Sequence, residues 1–408
     1  MTNAKSATAA ALPILIIAGC IIAMTSFGVR STFGLFTLPV TAEFGWGREV
    51  YGLALAVQNL VWGLMQPIAG GMADRYGTAK TLSVGAIIYA AGLLLMATGG
   101  TEASLYLGGG VLAGIGIGTA SFAVVMAAFG RAVPAEKRSF VFGIATAASS
   151  AGQFVFAPIG QQFINSFGWQ TTLVYFAAAL LLILPLSYAL KGKTNHTAED
   201  TEDLPVLETL SRAFKHRSYN LLVAGFFVCG FHLAFVTVHM PAYLVQCGLS
   251  PDVGSWALAL IGLFNIVGSL SAGYLGGKVP KQLLLASIYL SRVVVTGLFL
   301  LIPVSEVSTY LFAAFTGLLW LATVPPTAAL VSGFFGPKYM GMLYGFAFLS
   351  HQVGSFFGVW LGGVVFDRTG SYDLVWYLGI LLGLAATALH IPISEKRSDR
   401  FRAAVPAQ

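Results

Sequence analysis

Two arginines stand where an apolar chain can least carry them. Arg30 and Arg292 each lie inside a long hydrophobic run. A charge at mid-membrane costs about 2.5–3.5 kcal/mol on insertion scales, so an intramembrane guanidinium marks a functional site by default. It keeps its proton and meets a carboxylate or phosphate with two parallel hydrogen bonds. None of the 16 Asp and Glu residues falls in the middle of a run. An organic anion is therefore one expected counter-charge for either arginine. The other reading has each guanidinium bonding carbonyls or helix ends within a bundle. A cationic cargo would need a buried carboxylate, and the sequence offers none.

His232 and His239 are seven residues apart. That is nearly two helical turns, so they share a face, with Tyr243 one turn further along. An imidazole titrates near physiological pH and can relay a proton or bond an anion. With acids absent from the middle of the runs, histidine is the remaining proton carrier, and His351 stands in a similar setting. The same residues could instead be polar groups that pack helices together. Gln58, Asn59, Gln66, Gln153, Asn265 and Trp320 complete the candidate cavity lining. Buried amides need partners, which in a bundle are often neighbouring helices. No Cys or acid accompanies the histidines at ligand spacing, so no metal site is expected. No paired acids or nucleophile–base set appears, so no enzyme is expected, and no cofactor motif is present. Gly114, Gly116 and Gly118 lack the strand context of a dinucleotide fingerprint. With Gly110, they read instead as close helix packing.

These residues are positioned by membrane spans. Of 408 residues, 57% are hydrophobic and 9% charged, against roughly 25% charged in soluble proteins. That excludes a disordered chain, a nucleic-acid-binding domain and a soluble enzyme. Twelve runs reach the ~20 residues needed to cross a bilayer: 11–38, 49–71, 80–99, 103–129, 139–163, 170–190, 219–245, 253–276, 282–304, 307–334, 341–366 and 373–393. The fold class is all-α, with an N-terminal six-helix half (1–190), a charged cytoplasmic linker (191–217) and a C-terminal half (218–408). With both termini cytoplasmic, 18 of the 22 Lys and Arg residues lie inside and only Arg48 and Arg368 outside, the bias expected of cytoplasmic loops. The first run is too long for a cleavable signal. Cys20, Cys229 and Cys247 are too scattered for a disulfide framework.

The halves echo each other. Phe142-Gly143 to Gly152 and Tyr344-Gly345 to Gly354 carry the same glycine spacing, and Ile88-Tyr89 recurs as Ile288-Tyr289. Repeated halves around a midplane site are the architecture of secondary transporters. The loop Gly71-Met72-Ala73-Asp74-Arg75-Tyr76-Gly77 resembles the signature of the major facilitator superfamily between spans two and three, with a weaker partner at Gly273–Lys278. Within it, Gly28 to Phe36, Pro39 and Gln66-Pro67 resemble the monocarboxylate and oxalate–formate transporter branch. The resemblance implies a monomer in the plasma membrane, with span one lining a central cavity. Asp74 and Arg75 would then brace the inner gate, with Arg131 and the cluster Glu136-Lys137-Arg138 as candidate partners. Pro325 and Pro326 should kink span ten, which suits gating or a static bend. One departure matters. The branch carries an anion-binding arginine in span eight, where this chain has Ser269. Arg30 could replace it from the other half.

The expected function is alternating-access transport of a small organic anion, a monocarboxylate by resemblance, with proton coupling as one option. The rivals are carriage of a neutral aromatic, drug-like or vitamin-like compound on the same fold, and a non-transporting membrane sensor. Lipid is the surrounding partner in every case.

Overall fold

In the computed structural model, residues 2–192, 206–396 and 398 are described; the side chains of 2–11, 135–140, 206, 337 and 338 fall outside that description. Part of the expected linker and Lys137 and Arg138 of the candidate gate cluster therefore lie outside the described side chains, as does Glu136.

The membrane helices are α1 (Leu12–Phe44), α2 (Arg48–Tyr76), α3 (Thr78–Thr98) and α4 (Glu102–Ala132). The fifty-residue stretch Val141–Leu190 is continuous in hydropathy but not in backbone. At Gly168, φ 79° and ψ 165° leave the helical region, so the stretch forms α5 (141–167) and α6 (169–190). A side chain there would be strained, because only glycine adopts this region freely. Then follow α7 (Arg217–Gln246), α8 (Pro251–Leu275), α9 (Lys281–Leu301), α10 (Glu306–Phe335), α11 (Tyr339–Thr369) and α12 (Asp373–His390). Among the described residues there is no strand. In lipid each helix satisfies its own backbone polar groups, which is why long apolar runs become helices. Leu301, Val307, Tyr188 and Leu381 project outward as an exposed apolar rim.

The stretch expected as a solvated linker contains a short helix, Val206–Phe214. Its Leu210 and Ala213 pack on a cluster around Tyr219, Phe334 and Phe335.

The first six helices pack mainly on one another, as do the last six; the groups meet along α2 with α11 and α5 with α8. In the first group, Gly110, Gly114 and Gly118 of α4 lie directly on α2, where an added Cβ would meet the carbonyl oxygens of Ala54, Gln58 and Trp62. Tyr106–Leu112 winds as a π-helix within α4. Gln58 Nε2 donates to the Gly109 oxygen in this turn, at 2.7 Å.

Two helices break at matching places. The fourth helix of the first group, α4, is interrupted at Ala120, and the Ser121 side chain caps the resumed helix. The fourth of the second group, α10, stops at Leu319 and resumes at Val324, just before Pro325-Pro326. In α1 the chain tightens to a 3-10 turn at Phe33–Phe36.

The seam between the groups is tight at one end. Near Arg48, Gly363 backs onto the Arg48 carbonyl and Gly52 onto the Val359 carbonyl. Contact continues to Gly63, against Gln352 and Leu349. Beyond that depth, Gly70 and Gly71 of α2 and Gly341 and Gly345 of α11 have open space. Helices α2 and α11 therefore separate toward the Asp74 end, while α5 and α8 still approach each other at Gly143 and Leu270.

Candidate functional site

Arg30 projects from α1 where α2 and α11 part. Its Nη2 donates to Asn59 Oδ1 at 2.9 Å. Asn59 in turn donates to the Leu55 oxygen at 2.8 Å, which fixes its carbonyl toward the arginine. The guanidinium lies over the Trp62 ring, 4.5 Å from the centroid, with Phe27 at 5.8 Å. Arg30 Nε is buried without a hydrogen-bond partner. The ion pairs Arg212–Glu208 and Lys281–Glu395 leave Arg30 unpaired with any carboxylate among the described residues. Trp62 crosses to the other group, packing edge-on against Phe348 at 5.3 Å. Phe348 stacks on His351 at 5.6 Å and an interplanar angle of 7°. Arg30, Asn59, Trp62, Phe348 and His351 thus form one connected set across the cleft. Gln66, half-buried further along α2, has an unpartnered Oε1.

Arg292 is held differently. Nη2 donates to the oxygens of Leu319 and Trp320, at 2.7 and 2.6 Å, and Nη1 to Cys229 Sγ at 3.4 Å. The guanidinium therefore caps the carbonyls freed where α10 breaks. Asn265 serves the same break: its Oδ1 accepts from the Leu321 N–H, and its Nδ2 donates to Ser150 Oγ, both at 2.9 Å. Arg292, His232 and Trp320 line one cavity of about 30 Å³ within the last six helices, together with Thr316 and Trp376. That is room for about two waters. His232 Nε2–H donates to the Gly379 oxygen at 2.7 Å. Tyr243 packs against Trp376, 5.6 Å away. These residues sit behind the cleft rather than in it.

The remaining amides tie helices. Gln58 bonds within the first group, as above, while Gln153 Nε2 crosses to the Leu258 oxygen at 2.9 Å. At the parted end, Arg131 donates to Thr78 Oγ1 and lies within electrostatic reach of Asp74. The Thr78 N–H donates to the Gly192 oxygen at 3.1 Å. Arg75 is exposed, its guanidinium 5.3 Å from the Tyr76 ring. Pro325 and Pro326 open the second segment of α10.

The closed end is built from residues that sequence reasoning missed. Asp367, at the end of α11, accepts from the backbone N–H groups of Arg48 and Glu49, at 2.9 and 2.7 Å. A carboxylate on the N-terminus of α2 is favoured by the unbonded N–H groups and the helix dipole. Arg48 lies over the Phe366 ring at 3.4 Å and donates to Tyr372 Oη at 2.8 Å. His239 lies in the same seam, with Nε2 2.7 Å from the Val359 oxygen and Nδ1 3.3 Å from Tyr372 Oη.

The sequence matches a family model, the Major Facilitator Superfamily, over residues 16–359 and 248–407. The chain belongs to the major facilitator superfamily. It is a multi-pass membrane protein of a transporter family. It is 28% identical over 93% of its length to an uncharacterized MFS-type transporter, YcxA, of Bacillus subtilis (strain 168), covering 94% of that protein. It is 25% identical to monocarboxylate transporter 13 of Rattus norvegicus, covering 90% of this chain and 85% of that one. Human monocarboxylate transporter 12 is 22% identical, with 91% and 80% covered. In fold, this facilitator is similar to the nucleoside transporter NupG (TM-score 0.76, 11% identity, 93% and 99% covered). It is also similar to a bacterial homolog of the human lysosomal transporter Spinster in an inward-facing, occupied conformation (0.74, 14%, 96% and 98%).

Proposed function

We propose that this facilitator carries a small organic anion, with a monocarboxylate as the leading class, by alternating access across the plasma membrane. The observation that carries the reading is Arg30. It is a half-buried guanidinium in the cleft, bonded to one neutral amide and stacked on Trp62, with no carboxylate partner among the described residues. A cargo carboxylate supplies the missing charge and takes the free N–H groups. Relatives bearing the name monocarboxylate transporter support the same class.

In this reading the Arg48–Asp367 end is extracellular and both termini are cytoplasmic, following the distribution of Lys and Arg. The structure is then the inward-facing state. Arg48, Asp367, Phe366 and Tyr372 close the outer end, and Asp74, Thr78 and Arg131 belong to the inner gate. Arg292 has a supporting role: it holds the break in α10, beside the cleft. His351 and Asn59 complete the cargo contact from opposite sides.

One observation favours a second cargo. The rings of Trp62, Phe348 and His351 form an aromatic wall beside Arg30, which suits an aromatic compound whether or not it is charged. Uptake into proteoliposomes separates the two. Labelled monocarboxylates should be taken up, and their uncharged amides should not. Arg30→Ala should abolish the difference. Equal uptake of acid and amide by the unaltered protein would favour the neutral aromatic cargo and remove the anion reading.

A further inference from the structure

The closed outer seam encloses a titratable group that transport of an anion does not by itself require. His239 is fully buried, and its imidazole fits where Gly362 of α11 leaves no Cβ to meet it, with Gly52 of α2 on the other side. It therefore sits between the two six-helix groups.

The direction of its hydrogen bonds follows from its partners. The Val359 oxygen can only accept, so Nε2 carries the proton that points to it, at 2.7 Å. In the neutral ring Nδ1 is then a bare lone pair, and the Tyr372 hydroxyl donates to it across 3.3 Å. Tyr372 Oη accepts from Arg48 Nη1 at 2.8 Å. The donors run one way, from Arg48 on α2 through Tyr372 just before α12 and His239 on α7 to Val359 on α11. This chain spans the seam, and with a neutral imidazole every donor in it meets an acceptor.

A second proton on His239 must go to Nδ1. There it meets the hydroxyl that was donating to it, so that bond is lost or reversed. It also places a second cation near Arg48. The other ionisable groups around the ring offer little relief. Asp367 is engaged by the N–H groups of Arg48 and Glu49. Asp373 and Arg368 are exposed, and Glu49 is half-buried at the head of α2. On α7 itself, Tyr243 packs against Trp376 and Cys247 is exposed. Parting the seam relieves both penalties, because it separates Arg48 from the ring and lets water reach Nδ1.

We propose that His239 is the proton-binding site of this facilitator, and that its protonation releases the outer seam. Acid outside would then favour the outward-open state and couple proton uptake to loading of the cargo from that side. This rests on the reading of the Arg48–Asp367 end as the outer gate.

The test measures the distance across that end. Spin labels are placed on Ala42→Cys and the native Cys247, in full-length protein carrying Cys20→Ala and Cys229→Ser, and distances are recorded by pulsed electron resonance in lipid at pH 8 and pH 5. Asp367→Asn, which weakens the cap on α2, should lengthen the distance at both pH values. Without Asp367→Asn, the protein should gain a longer component at pH 5, several-fold more populated than at pH 8. His239→Gln, which still donates to the Val359 oxygen but gains no charge, should lose that response. A short distance in Asp367→Asn at both pH values would overturn the gate reading. A response to Asp367→Asn combined with no pH effect, or with an equal pH effect in His239→Gln, would overturn the role of His239 alone.

Discussion

Arg292 belongs to α9, yet its guanidinium ends 2.6 Å from the Trp320 oxygen on α10. The bond places a fixed charge on the C-terminal end of a helix segment, where the orphan carbonyls carry partial negative charge. It explains how a nearly fully buried arginine is tolerated with no carboxylate beside it among the described residues.

Removing it should therefore damage the fold before it damages cargo recognition. Arg292→Leu leaves two buried carbonyls unbonded, at roughly 1–3 kcal/mol each. The melting temperature of the purified protein should drop by several degrees. Arg292→Lys can still donate to both oxygens and should recover most of the loss. Unchanged melting in Arg292→Leu would show that the cap contributes nothing to stability.

The glycines of the outer seam make a second prediction. A Cβ at Gly363 of α11 would run into the Arg48 carbonyl of α2 only when the seam is closed. Overpacking of this kind costs about 1–3 kcal/mol. Gly363→Ala should lower transport about tenfold or more while the melting temperature changes little, because the open seam accommodates the methyl group. Gly297→Ala, in the C-terminal part of α9 with nothing within 4 Å, is the control. It should melt slightly higher, by the ~0.5–1 kcal/mol that alanine gains over glycine in a helix, and transport normally.

Much of the fold was legible because the bilayer imposes its own length on each apolar run. The boundary at Gly168 was legible for the same reason: two spans could not fit in one run. The site was legible in part. Arg30 and Asn59 stood out as polar residues in apolar surroundings, and they meet. Trp62 did not stand out, although it lies one turn from Asn59 and from Gln66, a spacing that could have found it. Phe348 is likewise one turn before His351. Arg48 was counted as a topology charge and Asp367 as a loop residue, because no local pattern joins residues 319 apart in sequence. Arg292 was singled out correctly as costly, but only the break in α10 explains what it bonds.

The aromatic partner of Arg30 should matter by a modest amount. A guanidinium over an indole contributes about 0.5–2 kcal/mol. Trp62→Ala should weaken binding of an anionic cargo by roughly 2–30-fold, and Trp62→Phe by less. Calorimetric titration of the purified variants measures this directly. Equal affinity in all three proteins would place the cargo away from α2.

The central claim is that Arg30 receives the cargo's carboxylate. It is tested most directly by titrating purified protein with short-chain and aryl monocarboxylates and their matched amides. The acids should bind and the amides should not, and Arg30→Ala should lose the acids by about 10–150-fold, the 1.5–3 kcal/mol of a charge-assisted hydrogen bond. Acids binding Arg30→Ala as tightly as the unaltered protein would contradict the claim.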